Sequence, residues 1–434
     1  MEYRRCYKRH RNLQQWSRDE IARYQFRRLQ AIVDYAVIHV PFYRRVYGAL
    51  GFRPGDLNTP ADFLQLPCIH KADVFQFGEE FKSDEFERLR PIKTVTSATT
   101  RDGMVMYRSA RAETIRCAIV WRHWFNLGYR YREPRVQLTT ALASADKSAI
   151  HDDLSENCRQ IDPRAITFEL APRLYSSIRE FRPRLIYAQP SNLAALVLSW
   201  RQRQLAPFRV PIVYLVGEKI YPEYRDIIAD FFGGPIREYY GNRENTASAG
   251  ELADGRLYVH ADFVHLEFLD VAGQPVVGAP ANIVSTGFEN YAFPLIRYHT
   301  EDVGIDRDHP AQALVGFPTL EIVGGRNKDL LLTPEGLFCP YMASQLRDVG
   351  FSRFKRVQLE QTAADRVLVR VEPTADFEFP RDLEIIENAY RKYLGRWFTV
   401  EVAIVDTIPP SDYCKNRMVI SELALQELRQ QRAF

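Results

Sequence analysis

The stretch from Leu185 to Tyr240 constrains this chain more than any other, because short apolar runs alternate there with helical patterns. Strands are predicted at Leu185–Tyr187, Ile212–Val216 and Ile236–Tyr240, with helices between them at Asn192–Arg203 and Glu223–Phe232. This order is typical of a βαβαβ unit, in which consecutive strands run parallel and helices cover the sheet. The sequence therefore predicts an α/β fold.

Each predicted strand of this unit leads directly into a polar segment. Those segments are Ala188–Ser191, Gly217–Lys219 and Gly241–Glu244. In a parallel sheet, ligands collect at the carboxyl ends of the strands, so polar segments that leave one edge together indicate a binding site. The alternative, that they are surface loops with ordinary loop composition, stays open on this pattern alone.

The regions on either side of this unit predict a helix before it and mainly β-strands after it. A helix is predicted over Ile21–His39, where apolar residues recur at helical spacing and the pattern stops before Pro41. After Gly250, strands are predicted at Arg256–His260, Val264–Leu269, Asn282–Thr286 and Leu295–Tyr298. Beyond Gly324 and Gly325 we expect a compact α+β module, with a helix near 341–349, strands at Phe354–Glu360, Arg366–Glu372 and Val400–Val405, and a helix at Arg381–Leu394.

Composition narrows the class of protein. Its 434 residues exceed what one hydrophobic core usually organises, so we expect two domains. Basic and acidic residues number 58 and 55, a formal net charge of +3, which argues against a nucleic-acid partner. The first twenty residues lack the apolar core of a signal peptide, and no apolar run is long enough to span a bilayer. We therefore expect a cytoplasmic protein without membrane insertion.

Six cysteines lie far apart in the sequence without any C-x-x-C pair. This spacing predicts free thiols rather than a zinc or redox site.

Eight segments, taken in order along the chain, carry a family resemblance. They are YAVIHVPFYRRVYGALGF, LPCIHKADV, Gln189-Pro190-Ser191, Gly217-Glu218, YYGNRE, LIRYHTEDVG, GGRNKD and PPSDYCKNR. Their order and spacing resemble the phenylacetate–CoA ligase family of the adenylate-forming superfamily, in the branch that also includes capsule-biosynthesis proteins. No single string is specific, whereas the ordered set is hard to obtain by chance.

The resemblance implies a fold and a domain organisation. It implies the α/β adenylate-forming fold, whose large N-terminal domain has parallel sheets flanked by helices and a small β-barrel-like part. That ATP- and acid-binding domain would span residues 1–325, and residues 326–434 would form a small, mobile α+β lid. The resemblance also implies a homodimer.

The resemblance further assigns roles to residues outside the phosphate loop. Glu244, in the position of the glutamate of the pattern YGxTE, would be catalytic and hold Mg²⁺ at the phosphates of ATP. Asp302 would accept hydrogen bonds from the ribose hydroxyls, and Lys415 would be the catalytic lysine. The remaining assignments are to the nucleotide (Gly217, Glu218, Tyr239, Tyr240, Gly241 and Arg326), to the acid substrate (Tyr187, Gln189, Pro190 and Ser191) and to the hinge (Lys328).

The phosphate loop departs from the family pattern. The family expects T-S-G-T-T-G, whereas residues 96–103 read TSATTRDG, so both usual glycines are replaced. Ser97, Thr99 and Thr100 keep hydroxyls for the nucleotide, and Arg101 adds a charge suited to the β- or γ-phosphate. Three outcomes stay open: a working loop of different shape, an altered nucleotide preference, or lost adenylation. A second departure is Glu301, where relatives often have glycine before the ribose aspartate.

Together these features predict an enzyme that uses ATP and Mg²⁺ to activate a small carboxylic acid, an aryl acid being permitted, as an acyl-adenylate. The acceptor that the resemblance implies is CoA, so the partners would be the acid and a thiol or amine acceptor. The alternatives are an amide- or ester-forming ligase acting on a biosynthetic intermediate, a nucleotidyl transferase that stops at the adenylylated product, and a catalytically inactive binding relative.

Overall fold

The computed structural model describes residues 2–95, 104–139, 149–163, 169–218, 222–270, 272–308, 313–324, 330–334, 338–340, 353–408 and 419–424, together with Ile166, Ile220, Leu346, Phe351 and Gln426. Its helices are α1 (Glu2–Arg11), α2 (Arg18–His39), α3 (Pro41–Ala49), α4 (Pro60–Leu64), α5 (Lys71–Phe77), α6 (Ala110–Asn126), α7 (Ala171–Phe181), α8 (Pro190–Gln202), α9 (Pro222–Phe232) and α10 (Arg381–Leu394).

The strands of the first half of the chain are β1 (Pro91–Val95), β2 (Val105–Ser109), β3 (Arg135–Leu138), β4 (Ile150–Asp153), β5 (Cys158–Ile161), β6 (Leu185–Ala188), β7 (Ile212–Val216) and β8 (Ile236–Gly241). Those that follow are β9 (Ser248–Glu251), β10 (Leu257–Val259), β11 (Val264–Leu269), β12 (Ala281–Gly287), β13 (Tyr298–Asp306), β14 (Thr319–Gly324), β15 (Leu330–Leu332), β16 (Phe338–Pro340), β17 (Phe354–Ala363), β18 (Arg366–Pro373), β19 (Thr399–Ile404) and β20 (Val419–Ile420).

The chain divides into two compact units. The first contains Met1–Thr96, Met104–Gly128 and Tyr239–Gly324, and the second contains Ser97–Gly103, Tyr129–Glu238 and Gly325–Phe434. One junction between them falls at Gly324, where the sequence also places its domain boundary. The finer division into domains 1–325 and 326–434 stays a prediction.

The first unit is built on an antiparallel sheet in the order β11-β12-β13-β14-β10-β9. The end of β8 pairs with β9, so that Tyr239 lies opposite Gly250 and Gly241 opposite Ser248. A separate hairpin pairs β1 with β2, from Pro91 opposite Ser109 to Val95 opposite Val105.

Helix α2 shows why the amino-terminal helices form where they do. Ser17 and Glu20 form a capping box, in which the Ser17 amide donates to the Glu20 carboxylate at 2.8 Å and the Glu20 amide donates to the Ser17 hydroxyl at 3.3 Å. The apolar face then buries Ile21, Tyr24, Leu29, Ile32, Val33, Ala36 and Val37. The helix ends at His39, because Val40 is extended before Pro41, which starts α3. The predicted helix over Ile21–His39 is confirmed.

The predicted strand at Leu295–Tyr298 is wrong in its first three residues, since β13 begins at Tyr298. Pro294 precedes the segment, and Arg297 adopts a left-handed φ of 52°, which a strand does not accommodate. Tertiary contacts hold Arg297 in place, because its buried guanidinium pairs with Glu267 at 2.8 Å and donates to the backbone carbonyls of Leu64 and Leu66. A buried ion pair therefore overrides the local apolar pattern.

The second unit contains the parallel sheet that the sequence predicts. Strands β7, β6, β3 and β5 run parallel in that order, and β4 joins the edge antiparallel to β5. Helix α8 is buried over Pro190–Trp200, which explains its nearly continuous apolar sequence. It packs with α7, α9 and these strands in one hydrophobic core, so the α/β class is confirmed.

A second core of this unit lies in the carboxyl-terminal part of the chain. Its sheet has the order β19-β18-β17-β20 and packs against α10. Arg353 anchors the start of α10, since its Nε donates to the buried carboxylate of Asp382 at 2.7 Å. The predicted helix Arg381–Leu394 is confirmed at both ends.

Two predicted properties of the chain can be compared with the described residues. None of their helices combines the length and the apolar character that crossing a membrane requires. Cys6, Cys68, Cys117 and Cys158 are free thiols, as the spacing predicts.

Candidate functional site

Tyr240 and Asp302 form a hydrogen-bonded pair within the first unit. Tyr240 lies near the end of β8, Asp302 lies in β13, and the Tyr240 hydroxyl donates to Asp302 Oδ2 at 3.0 Å across 62 positions of sequence. Burial and the adjacent Asp302 carboxylate raise the pKa of Tyr240 well above its usual range. The tyrosine therefore remains a protonated donor at neutral pH and orients the carboxylate that the resemblance assigns to the ribose.

The backbone before Asp302 is held in an uncommon conformation. Glu301 has a φ of 60°, in the left-handed region that glycine adopts most readily. Its amide donates to His299 Nδ1 at 3.2 Å, and the Asp302 amide donates to the Thr300 hydroxyl at 3.1 Å. The Thr300 hydroxyl in turn donates to the Ile283 carbonyl at 2.9 Å. This conformation accounts for the glycine that relatives often have at the position of Glu301.

Glu244 sits in a turn that Asn242 organises. The Asn242 side-chain oxygen accepts the amides of Thr246 and Ala247, both at 3.0 Å, and its Nδ2 donates to the Thr246 hydroxyl at 2.8 Å. Asn245 has a φ of 60°, which asparagine tolerates better than most residues. The turn is therefore fixed by its own side chains and presents Glu244 in one orientation.

The Glu244 carboxylate is buried, with the residue 8% exposed, and accepts a hydrogen bond from the Tyr298 hydroxyl at 3.3 Å. Among the residues that the structure describes, no group of three or more His, Cys, Asp and Glu side chains could hold a metal ion by itself. A single carboxylate fits Mg²⁺ all the same, because this ion usually keeps water and takes other ligands from substrate phosphates.

Tyr239 lies on the face of β8 opposite to Tyr240, because successive side chains alternate along a strand. Its hydroxyl lies 3.0 Å from Ser248 Oγ, which in turn lies 2.8 Å from His260 Nδ1. A Cβ atom at Gly241 would stand 2.8 Å from the Tyr239 ring, so a side chain there would collide with it. The two tyrosines that the sequence assigns to adenine thus have different surroundings, and only Tyr240 contacts Asp302.

In the second unit, the predicted acid-binding and nucleotide-binding segments lie together. Strands β6 and β7 are parallel neighbours, so Gln189 and Gly217 leave the same edge of the sheet. Gly217 has a φ of 79°, a conformation that strains residues with a side chain. The next residue, Glu218, accepts the amide of Ser191 at 3.1 Å, at the first turn of α8. The edge position predicted for these two polar segments is confirmed.

Further contacts hold the residues that are predicted to bind the acid. Gln189 Oε1 accepts from Asn192 Nδ2 at 2.8 Å, and Pro190 occupies the first turn of α8, where no amide donor is needed. Tyr187 stacks with Tyr214, with their ring centroids 5.9 Å apart. Negative charge is favoured at this end of a helix, which suits the Glu218 carboxylate.

Seven predicted site residues lie outside the described part of the chain. They are Ser97, Thr99, Thr100, Arg101, Arg326, Lys328 and Lys415. Their roles stay predictions.

Sequence reasoning overlooked two residues that position the site. Tyr298, which donates to Glu244, stands inside the quoted string LIRYHTEDVG, and Asn242, which organises the turn, stands inside YYGNRE. Asn242 could have been found from the sequence, because asparagine side chains often hydrogen-bond the backbone of a turn. The contact between Tyr298 and Glu244 had none, because it joins residues 54 positions apart.

Comparison with known proteins places the chain near two enzymes in sequence. It is 24% identical to a phenylacetate–coenzyme A ligase of Thermus thermophilus over 303 residues, which are 66% of either chain. It is 22% identical to a phenylacetate–coenzyme A ligase of Aromatoleum evansii over 328 residues, covering 73% of this chain and 72% of that one. No protein-family model matches the chain. These similarities confirm the resemblance that the ordered motifs predict.

A solved structure shares the fold over nearly the whole length. It is the crystal structure of 2-hydroxyisobutyryl-CoA ligase in complex with 2-HIB-AMP and CoA in the thioesterification state. That enzyme superposes with a TM-score of 0.64 over 97% of this chain and 94% of its own, at 21% identity. The likeness confirms the predicted fold.

Proposed function

We propose that this chain, which shares its fold with an adenylate-forming CoA ligase and its motifs with phenylacetate–CoA ligases, activates a carboxylic acid with ATP and transfers the acyl group to CoA. The observation that carries the proposal is the convergence of Tyr240, Glu244 and Asp302 within one unit. Tyr240 bonds to Asp302, and Glu244 bonds to Tyr298, four positions before Asp302. Residues more than fifty positions apart in sequence thus lie close together, which supports the proposal.

The first half-reaction joins the acid to AMP. The substrate carboxylate attacks the α-phosphorus of ATP, a new acyl–O–P bond forms, and the bond to the β-phosphate breaks with departure of pyrophosphate. Repulsion between anions opposes this approach, so the site must supply positive charge and fixed positions. When bound, Mg²⁺ would supply positive charge at the phosphates, with Glu244 as its protein ligand.

The chain's own residues would act mainly by positioning. The Asp302 carboxylate, fixed by the Tyr240 hydroxyl, would accept both ribose hydroxyls, and the Tyr240 ring would pack beside the adenine. Gln189, Pro190 and Ser191 would border the acid, with Tyr187 offering an aromatic face. In the second half-reaction the CoA thiol loses its proton to solvent and its sulfur attacks the acyl carbon, so that a C–S bond forms while the bond from the acyl carbon to the phosphate oxygen breaks and AMP leaves.

Residues outside the described segments complete the proposal. Lys415 would bring an ammonium group to the α-phosphate and the acid carboxylate, as a compact charge on a flexible stem can. Ser97, Thr99, Thr100 and Arg101 would contact the phosphates, and Arg326 the ribose or phosphate region. Lys328 would act as the hinge of a lid of residues 326–434, in a cytoplasmic homodimer whose assembly light scattering would test.

A pyrophosphate-release assay over a panel of aryl and alkyl acids tests the function. We expect at least one acid to elicit release that requires ATP and Mg²⁺, and mass spectrometry to find the acyl-CoA product only when CoA is added. Lys415→Ala should lower the adenylation rate by about a hundredfold or more, because charge stabilisation is lost in the transition state.

The control is Lys392→Ala, which removes an exposed lysine of α10 and should leave the rate unchanged. The proposal fails if no acid in the panel elicits pyrophosphate release. An amide, an ester or an adenylylated product in place of acyl-CoA would overturn the choice of CoA as acceptor while leaving acid activation intact.

A further inference from the structure

The turn that carries Glu244 is tied to the β1–β2 hairpin through Arg243. The exposed Arg243 side chain extends to the end of β1, where its Nη1 donates to the Val95 carbonyl at 2.9 Å. Val95 is the last residue of β1 and pairs with Val105 of β2. One charged donor therefore joins the Val95–Val105 end of the hairpin to the turn that carries Glu244.

A second arginine, in the hairpin, donates hydrogen bonds back to the turn that carries Glu244. Arg108 of β2 directs Nε and Nη2 at the carbonyl oxygen of Arg243, at 2.9 and 2.5 Å. Its remaining amino group, Nη1, donates to Glu113 Oε2 at 2.9 Å. Burial opposes ionisation of Glu113, but Arg116 and Arg108 outweigh it and lower the pKa of this carboxyl to about 2. Glu113 is thus a permanent anion that fixes the orientation of the Arg108 guanidinium.

The residue before β2 also lies close to the Glu244 turn. Met104 directly precedes β2, and its sulfur lies 4.0 Å from the Tyr298 hydroxyl, which donates to Glu244. Both strands of the hairpin therefore reach the dipeptide Arg243-Glu244: Val95 and Arg108 contact Arg243 directly, and Met104 lies against Tyr298, which donates to Glu244. The YGxTE pattern has threonine where this chain has Arg243, and threonine has no cationic group for such a bond.

We propose that Arg243 and Arg108 are positioning residues that lock the Glu244 turn onto the β1–β2 hairpin and so set the grip on Mg²⁺-bound ATP. The effect on ATP rests on the proposed function, whereas the lock is a property of the protein without ligands. Arginine suits positions 108 and 243 because its planar guanidinium group presents several N–H donors in fixed directions.

Hydrogen–deuterium exchange of the full-length, ligand-free protein tests the lock directly. In Arg243→Met, we expect amides of residues 92–95 and 105–109 to exchange about tenfold faster, since a charged hydrogen bond to the hairpin is lost. Arg243→Lys keeps one charged donor and should restore part of the protection. Arg88→Met, which removes a 72% exposed arginine of the same unit, should leave these amides unchanged.

Steady-state kinetics of the same variants test the consequence. Arg243→Met should raise the KM for Mg²⁺-bound ATP about tenfold, with the KM for the acid unchanged and Arg243→Lys in between. A general loss of structure would change both constants together. Unchanged exchange in Arg243→Met overturns the lock, and unchanged KM for ATP in a variant with faster exchange overturns its role at the nucleotide. If the wild type activates no acid, the proposed function fails, and the exchange experiment still decides the lock.

Discussion

A single hydroxyl links two of the motifs that are assigned to the proposed nucleotide site. Tyr240→Phe would keep the ring and remove the donor to Asp302, which would then lose a charged hydrogen bond of about 1.5–3 kcal/mol. We expect the KM for ATP to rise about tenfold, with little change in the KM for the acid, measured by pyrophosphate release.

The matched control for this change is Tyr258→Phe. Tyr258 donates to Asp254 Oδ2 at 2.6 Å in the same unit, so the same type of bond is lost among residues with no proposed role in binding. An equal rise in the KM for ATP in both variants would contradict the role of Tyr240.

Glu301 is a residue whose backbone conflicts with its side chain. Its φ of 60° costs an ordinary residue about 1–2 kcal/mol, whereas glycine adopts it readily. Glu301→Gly should therefore raise the free energy of unfolding by up to about 1 kcal/mol, because the greater freedom of glycine in the unfolded chain offsets part of the gain. Urea unfolding would measure this change.

Glu301→Gln serves as the comparison, because it alters the charge and keeps the strain. Equal stability of Glu301→Gly and Glu301→Gln would show that the left-handed backbone stores no strain there.

At the scale of elements, the sequence was most informative where one local pattern decides the structure. The strands Ile212–Val216 and Val264–Leu269 and the helix Arg381–Leu394 are confirmed residue for residue, since periodicity and flanking breakers agree there. The sequence of Leu295–Arg297 predicts a strand, but no strand forms there. The ion pair between Arg297 and Glu267, which depends on tertiary structure, decides the backbone conformation instead.

The candidate site shows the same division. Glu244 and Asp302 stand out by their motifs, and the edge position of Gln189 and Gly217 follows from parallel strands. The orienting contacts of Tyr240 and Tyr298 join residues more than fifty positions apart, so only the folded chain reveals them.

At the scale of the whole molecule, two histidines with a lowered pKa predict that stability depends on pH. Burial, together with the nearby Arg297, lowers the pKa of His265 from 6.5 to about 4, and burial and Arg122 lower that of His260 well below its usual value. Below pH 6.5 these histidines bind protons in the unfolded chain but stay neutral in the folded chain. Their contribution to the free energy of unfolding is therefore fully present above pH 6.5 and is lost as the pH falls.

We expect the free energy of unfolding to decrease between pH 6.5 and pH 4.5, with a slope that approaches about 1.4 kcal/mol per pH unit for each such histidine. Urea titrations at several pH values measure this slope. His265→Gln should reduce the slope by about 1.4 kcal/mol per pH unit, because one proton fewer is taken up on unfolding. His151→Gln, at an exposed position of β4, should leave the slope unchanged. A flat profile over this range would contradict the shifted pKa of His260 and His265.

The alternation of side chains along β8 has a consequence for redesign of the proposed nucleotide site. Tyr239 faces a buried polar cluster with Ser248 and His260, whereas Tyr240 faces Asp302. A library that tests the proposed adenine contact should therefore randomise position 240 and leave position 239 intact. Substitutions at 239 remove a hydrogen bond to Ser248 and are expected to affect stability first, so the two adjacent tyrosines separate a proposed binding position from a structural one.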